Sequence, residues 1–322
     1  MNNKSKKISL SLNGTNVLKA IAILSVLIIH ILSSVKISPF VSDSNFQLIA
    51  VSLDQLARIS VPIFVALSGF GLLCKYSKKI SLKEFYFKRI FKIIPQYLLW
   101  SITFYLLFYF IPSWGPSSQQ PNFLWQLLLG RADYHLYFVP MIFQIYLIFP
   151  VLLTLFKRWP KTILLLGFAT QMIWWWFFSY QDYIVTDWKY FQGDGEQYIW
   201  MTNWIAYFIL GMYLPIIWNW LNKKNYRIIF IFVLWIMSAI FAIYDSITKI
   251  NDGVDPLYAL KFTRYPLFLY SSIAIVLFSF LVAKYFKTKN ENSILAVFGE
   301  KSYSIYLGHT LFLRIAVFLI YL

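Results

Sequence analysis

Stretches of about twenty apolar residues recur from one end of this chain to the other, and that pattern leaves few folds open. A hydrocarbon layer takes roughly 20 helical residues to cross. Inside it every backbone N–H and C=O must find a partner within the protein, so open chain segments are spanned by α-helices. Nine such runs are present, at 17–35, 48–73, 93–111, 136–156, 162–180, 199–220, 228–247, 265–283 and 302–322. The chain has 322 residues, of which 59% are hydrophobic and 21% aromatic. Its mean hydropathy is +0.62. No polar stretch between the runs is long enough to build a soluble core. The expectation is all-α: a polytopic transmembrane bundle of nine to ten spans, forming one integral membrane domain over 1–322.

The formal net charge of +16 raises the question of nucleic acid, but its distribution answers otherwise. Basic residues gather between apolar runs: Lys4, Lys6 and Lys7; Lys75, Lys78, Lys79 and Lys83; Lys157, Arg158 and Lys161; Lys223, Lys224 and Arg227; Lys284, Lys287 and Lys289. These clusters occupy alternate loops, as cytosolic loops do under the positive-inside rule. The intervening loops carry acids, including Asp182, Asp187, Asp194 and Glu196. The charge therefore reads as topology and attraction to anionic lipid, with no nucleic-acid partner and the N-terminus in the cytosol. The basic-then-apolar N-terminus lacks a small-residue cleavage site after its apolar run, so an uncleaved first span is expected. With one cysteine, Cys74, neither an internal disulfide framework nor a cysteine-rich metal site is available. No metal-ligand spacing is seen.

Ionisable residues inside apolar runs are costly and mark function by default. All three histidines, His30, His135 and His309, lie in or at the edge of such runs. Lys19 and His30 are eleven residues apart, three helical turns, so they share one face about 16 Å apart along the axis. Arg89 and Lys92 also share a helix face, where the third span leaves the cytosol just before Pro95. Such a pair suits a phosphate-bearing ligand. Asp54 and Arg58 are spaced for an intrahelical ion pair. Pro62, Ser68 and Gly69 permit a bend and close helix approach. Arg131, Asp133 and His135 cluster at the outer start of the fourth span, where a carboxylate can orient an imidazole. Ser302, Tyr306 and His309 form one stripe of the last helix, with His309 a short way in from the cytosolic side. The run FLWQLLLG is too short to span and is expected at the interface.

In this order the motifs resemble the acyltransferase 3 family of integral membrane acyltransferases. The matching pieces are Lys19 and His30 in the first helix, VPIFVALSG in the second, Arg89, Lys92, Pro95 and Tyr97 at the third, HLYF at His135, and the final SYSIYLGH. Two departures stand out. Lys19 and Lys92 replace arginines of the family pattern, which keeps the charge and loses the bidentate fork. The family usually has ten helices, whereas the ninth run here ends with the chain, and no appended esterase-like domain follows.

The resemblance implies transfer of an acyl group, most commonly acetyl, from cytosolic acyl-coenzyme A to a hydroxyl of a cell-surface or lipid-linked glycan at a bacterial plasma membrane. No permanently bound cofactor is implied; acyl-coenzyme A (acetyl-coenzyme A) is the cosubstrate. Lys19, Arg89 and Lys92 are expected at its phosphates. His30 and His309 are expected to be catalytic, with His30 the general base or the carrier of a transient acyl group. His135 and Tyr306 are expected to face the substrate. The alternative from a different class is an exporter or flippase of a polysaccharide or lipid-linked sugar, without covalent chemistry. A bis-histidine haem protein is a third arrangement that the histidines alone permit.

Overall fold

The computed structural model describes residues 9–36, 44–115, 122–184, 196–286 and 294–320. Among the described residues the chain is 87% helix with no strand. The helices are α1 (Leu12–Lys36), α2 (Ser44–Ala57), α3 (Ser60–Tyr76), α4 (Leu82–Phe110), α5 (Phe123–Leu129), α6 (Phe138–Arg158), α7 (Pro160–Ile184), α8 (Ile205–Leu221), α9 (Asn225–Asn251), α10 (Pro256–Ala259), α11 (Tyr265–Tyr285), α12 (Ile294–Glu300) and α13 (Ser302–Ile320). Seven helical segments among the described residues are long and apolar enough to cross a membrane. Two of the nine expected runs fall outside that set. One is α7, whose side chains are described only as far as residue 177. The other, 199–220, is shortened: its first residues form 3-10 turns at Glu196–Ile199 and Met201–Asn203, and α8 has 17 residues. Within the second expected run the helix breaks at Arg58–Ile59, so that α2 and α3 together make one span. The side chains of Asp182, Asp187, Asp194 and Glu196, and residues Lys4, Lys6, Lys7, Lys287 and Lys289, lie outside the described residues.

Packing divides the chain into two compact units interleaved in sequence: residues 1–71 with 210–303, and residues 72–209 with 304–322. In the first unit α1 packs on α2, α11 and α12, and α9 on α2 and α11. Close approach is bought with small residues: a Cβ at Gly211 of α8 would overlap the Ala66 backbone of α3. The indole of Trp218 donates to Ser279 Oγ at 3.1 Å, and the Tyr270 hydroxyl donates to the Leu56 carbonyl at 3.0 Å. The expected Asp54–Arg58 ion pair is present at 3.0 Å. It belongs to a larger buried network. Arg264, just before α11, donates to Asp245 and Gln55, to Ser246 Oγ at 2.7 Å and to the Lys261 carbonyl at 2.9 Å. Burial lowers the Arg264 guanidinium from its ordinary pKa against the opposing pull of Asp245, yet arginine stays charged at physiological pH. The network joins α2, α9 and the start of α11 by hydrogen bonds that an apolar surrounding cannot replace.

In the second unit α4 and α13 run side by side in the same direction. Ser304 donates to Gln96 Oε1 at 3.3 Å, Gly308 faces the indole of Trp100, and the Arg314 guanidinium lies 4.9 Å from the ring centroid of Phe108. The segment after α4 then folds back beside it. The Tyr97 hydroxyl, mid-helix in α4, donates to the Leu127 carbonyl of α5, and the rings of Tyr105 and Phe123 meet at 4.8 Å. Thirteen residues of α4, about 20 Å at helical rise, extend past the level of Tyr97. So α5 does not sit at the interface as its length suggested; it re-enters along α4. Irregular backbone at such depth needs internal partners, and it has them. Asn122 caps α5 through a bond from the Leu124 N–H at 3.0 Å. At the other end the N–H groups of Gly130 and Arg131 bond to Leu127 and Gln126, a left-handed glycine cap. Gly130 has φ of +66° and a Cβ there would strike the Leu136 carbonyl. The 196–204 segment is held down in the same manner: Gln144 of α6 donates to the Ile199 carbonyl at 2.7 Å and accepts from the Met201 N–H at 3.2 Å, and Gln171 of α7 accepts from the Ala206 N–H at 3.1 Å.

Replacing Gly130 by Ala is expected to cost about 1–2 kcal/mol from the backbone conformation alone, with the clash added. Gly253 also has positive φ (81°), but its Cβ position is open. Thermal unfolding in detergent should therefore show a larger drop for Gly130→Ala than for Gly253→Ala; equal drops would contradict the re-entrant packing.

Candidate functional site

The turn that ends the re-entrant segment is where the second unit concentrates its polar groups. Asp133 caps a 3-10 turn over Tyr134–Tyr137 by accepting from the Tyr134 N–H at 2.9 Å. The same fully buried carboxylate accepts from Thr310 Oγ1 at 2.7 Å and from both Arg314 Nη atoms, at 2.6 and 2.9 Å. Arg314 thus binds it bidentately, the strongest geometry for that pair. The aromatic rings of Phe104, Phe108 and Tyr134 line the guanidinium.

His135 is held through one ring nitrogen, and the other faces the Asp133 carboxylate without a hydrogen bond. Nε2 lies 3.1 Å from the Leu307 carbonyl, and Nδ1 lies 3.4 Å from Asp133 Oδ2. A carbonyl can only accept, so Nε2 carries a proton. The Tyr306 hydroxyl donates to the His135 carbonyl at 2.6 Å. His309 stands edge-on to His135 with ring centroids 4.8 Å apart. Its Nδ1 lies 2.6 Å from the Tyr306 carbonyl, which makes Nδ1 the donor and puts the lone pair of the neutral ring on Nε2. Nδ1 is engaged, and Nε2 is the nitrogen that carries basicity.

The structure therefore brings His135, Tyr306 and His309 into one buried cluster; they are 2%, 5% and 3% exposed. The ring contact also corrects an expectation. His135 is expected at the outer end of its span and His309 near the inner end of another, but touching rings share one depth, so the two expected depths cannot both hold. The re-entrant segment leads into His135, whose ring is 5.5 Å from that of Phe104 on α4.

Arg89 and Lys92 lie toward the start of α4. The Arg89 guanidinium carbon is 5.5 Å and 5.4 Å from the ring centroids of Phe85 and Tyr146, and the side chain is half-buried. Lys92 is exposed. The shared register of α4 and α13 sets His309 level with Ser101, so Arg89 stands about 18 Å and Lys92 about 14 Å away along the helix axis. Lys19 and His30 belong to the first unit. Because α1 is unbroken from Leu12 to Lys36, their spacing along one face is that of an ideal helix, and both are half-buried.

Two members of the cluster escaped the sequence reading: Thr310 and Arg314. Their signal was present. Tyr306, Thr310 and Arg314 recur every four residues, and an arginine inside the last apolar run is as costly as the histidines that drew attention.

Several helices long and apolar enough to cross a membrane make this a multi-pass membrane protein. The chain belongs to the acyltransferase 3 family, whose acyltransferase domain model matches residues 12–321, nearly its whole length. Comparison with curated proteins and with solved structures gives no match.

Removing one partner of a buried ion pair strands the other charge, at about 3–5 kcal/mol. Arg314→Ala should lower the thermal midpoint in detergent far more than Lys92→Ala, whose side chain is exposed. Equal stability of the two variants would contradict the buried pairing of Asp133.

Proposed function

We propose that this membrane acyltransferase moves an acyl group, acetyl in the simplest case, from acyl-coenzyme A to a hydroxyl of a sugar-containing acceptor in a bacterial cell envelope. The observation that carries the reading is the alignment of α4 with α13. It sets two cations, Arg89 and Lys92, a pantetheine-like distance from a buried imidazole, His309. Coenzyme A cannot enter the apolar layer with its phosphates. Its head belongs at the cationic end of α4, where a guanidinium and an ammonium can pair with phosphate oxygens. The thioester then reaches inward. With the N-terminus in the cytosol, as the basic loops imply, the start of α4 faces the cytosolic supply of the donor. Nine crossings, counting α7 and α8 with the seven longer spans, fit this orientation, since α4 and α13 then run the same way.

The chemistry needs one base. The acceptor O–H loses its proton to a neutral imidazole, its oxygen forms the ester bond to the acyl carbon, the C–S bond breaks, and the thiolate of coenzyme A leaves and takes up the proton. Two imidazoles are assigned to this role by different arguments: His30 by the first-helix motif, and His309 by the lone pair on Nε2. Lys19 is assigned to the donor's phosphates on the same motif. His135 is assigned to the acceptor, with Nε2 on the Leu307 carbonyl and its backbone carbonyl held by Tyr306.

The test uses purified protein in proteoliposomes with acetyl-labelled coenzyme A and envelope glycans. Label should pass to glycan. His30→Ala or His309→Ala, whichever removes the base, should lower kcat about 10²–10⁴-fold, whereas Arg89→Ala should chiefly raise KM for the donor. Glycan crossing the membrane with no label incorporated would overturn the enzyme reading in favour of transport.

A further inference from the structure

The carboxylate of Asp133 is completely buried, and each of its oxygens is bonded more than once. Packing alone does not ask for this. Apolar residues of similar volume commonly hold a core as well as a buried ion pair does. What the pair adds is direction. Asp133 fixes the 3-10 turn that carries His135, while Thr310 and Arg314, one turn apart on α13, are gripped by the same carboxylate. His309 is the neighbour of Thr310 in sequence. A helix gripped at 310 and 314 cannot roll, and a roll of one residue, about 100°, would turn the His309 ring out of its place. From the other side, His135 Nε2 holds the Leu307 carbonyl, and the Tyr306 hydroxyl holds the His135 carbonyl. The contacts form a closed loop from Asp133 through His135, Leu307 and Thr310 back to Asp133.

We propose that Asp133 and Arg314 are a positioning pair, which locks the re-entrant turn to α13 so that His309 presents Nε2 in one orientation. Neither residue touches reacting atoms. The inference rests on the acyl-transfer reading of the same site, and it gives that reading a cause for the imidazole's fixed orientation.

The experiment compares wild type, Asp133→Asn, Arg314→Gln and the double variant in proteoliposomes by three readouts: unfolding temperature, kcat and KM for acetyl-coenzyme A, and ¹⁵N spectra of histidine-labelled protein. Only three histidines are present, so their signals are assigned by single substitution. Each single variant should lose stability, because it leaves a buried charge uncompensated. The double variant should regain much of that stability, since both charges are gone. Its kcat should nevertheless stay about 100-fold below wild type, the cost of a misplaced reacting group, with KM within about twofold, as expected when only transition-state geometry is lost. The His135 and His309 signals should shift in the double variant. Recovery of kcat together with stability, or unchanged histidine signals, would overturn the positioning role and leave acyl transfer intact. If wild type transfers no label, the acyl-transfer reading fails, and the histidine spectra alone decide whether the pair orients the imidazoles.

Discussion

Inside a bilayer no water is present to complete an unmade hydrogen bond, and the second unit is organised around that constraint. A chain that leaves helical conformation at membrane depth must bring its own partners. Here the partners are few and specific. Tyr97 takes up the carbonyl of Leu127, Gly130 turns the chain where no side chain fits, and Asp133 collects a backbone N–H, a hydroxyl and a guanidinium. Each of these residues satisfies the backbone or a charge, and together they deliver His135 to the side of His309. The fold and the site are therefore one set of interactions.

The first unit shows the same economy in another form. Arg264 ties α2, α9 and the start of α11 through Gln55, Ser246 and Asp245, and Gly211 lets α8 approach α3 at the Ala66 backbone. Hydrophobic burial adds little to helix association where the surroundings are themselves apolar, so packing of small residues and polar bonds carry it. Lys19 and His30 ride on α1, a long helix without a break, and their separation is set by helix geometry alone.

Much of this was legible in the amino-acid sequence, and what was not has a physical reason. Helical spans follow from run length, because the hydrocarbon thickness fixes it. The Asp54–Arg58 pair and the Tyr306–His309 stripe follow from 3.6-residue periodicity. The meeting of His135 with His309 does not, since it depends on contacts between residues more than 170 positions apart. A short apolar segment such as FLWQLLL reads equally as interfacial or re-entrant, and only the Tyr97 bond decides between them. Depth inferred by counting spans fails at such a segment, and the depths it gives for His135 and His309 do not agree with the contact of their rings. Arg314 was visible as a charge in an apolar run, but its partner lies in another part of the chain. The family match covers α1 through α13 as a whole and carries the acyl-transfer class without naming the acceptor.

The central claim is that a donor's phosphates sit at the start of α4 while its reactive end reaches the buried imidazoles between α4 and α13. Cryo-electron microscopy of the protein in lipid nanodiscs with a non-transferable thioether analogue of acetyl-coenzyme A tests it most directly. The account predicts phosphate density beside Arg89 and Lys92, with the sulfur within hydrogen-bonding reach of His309. Density for the analogue elsewhere, or His309 packed against lipid tails with no passage to Arg89, would contradict it.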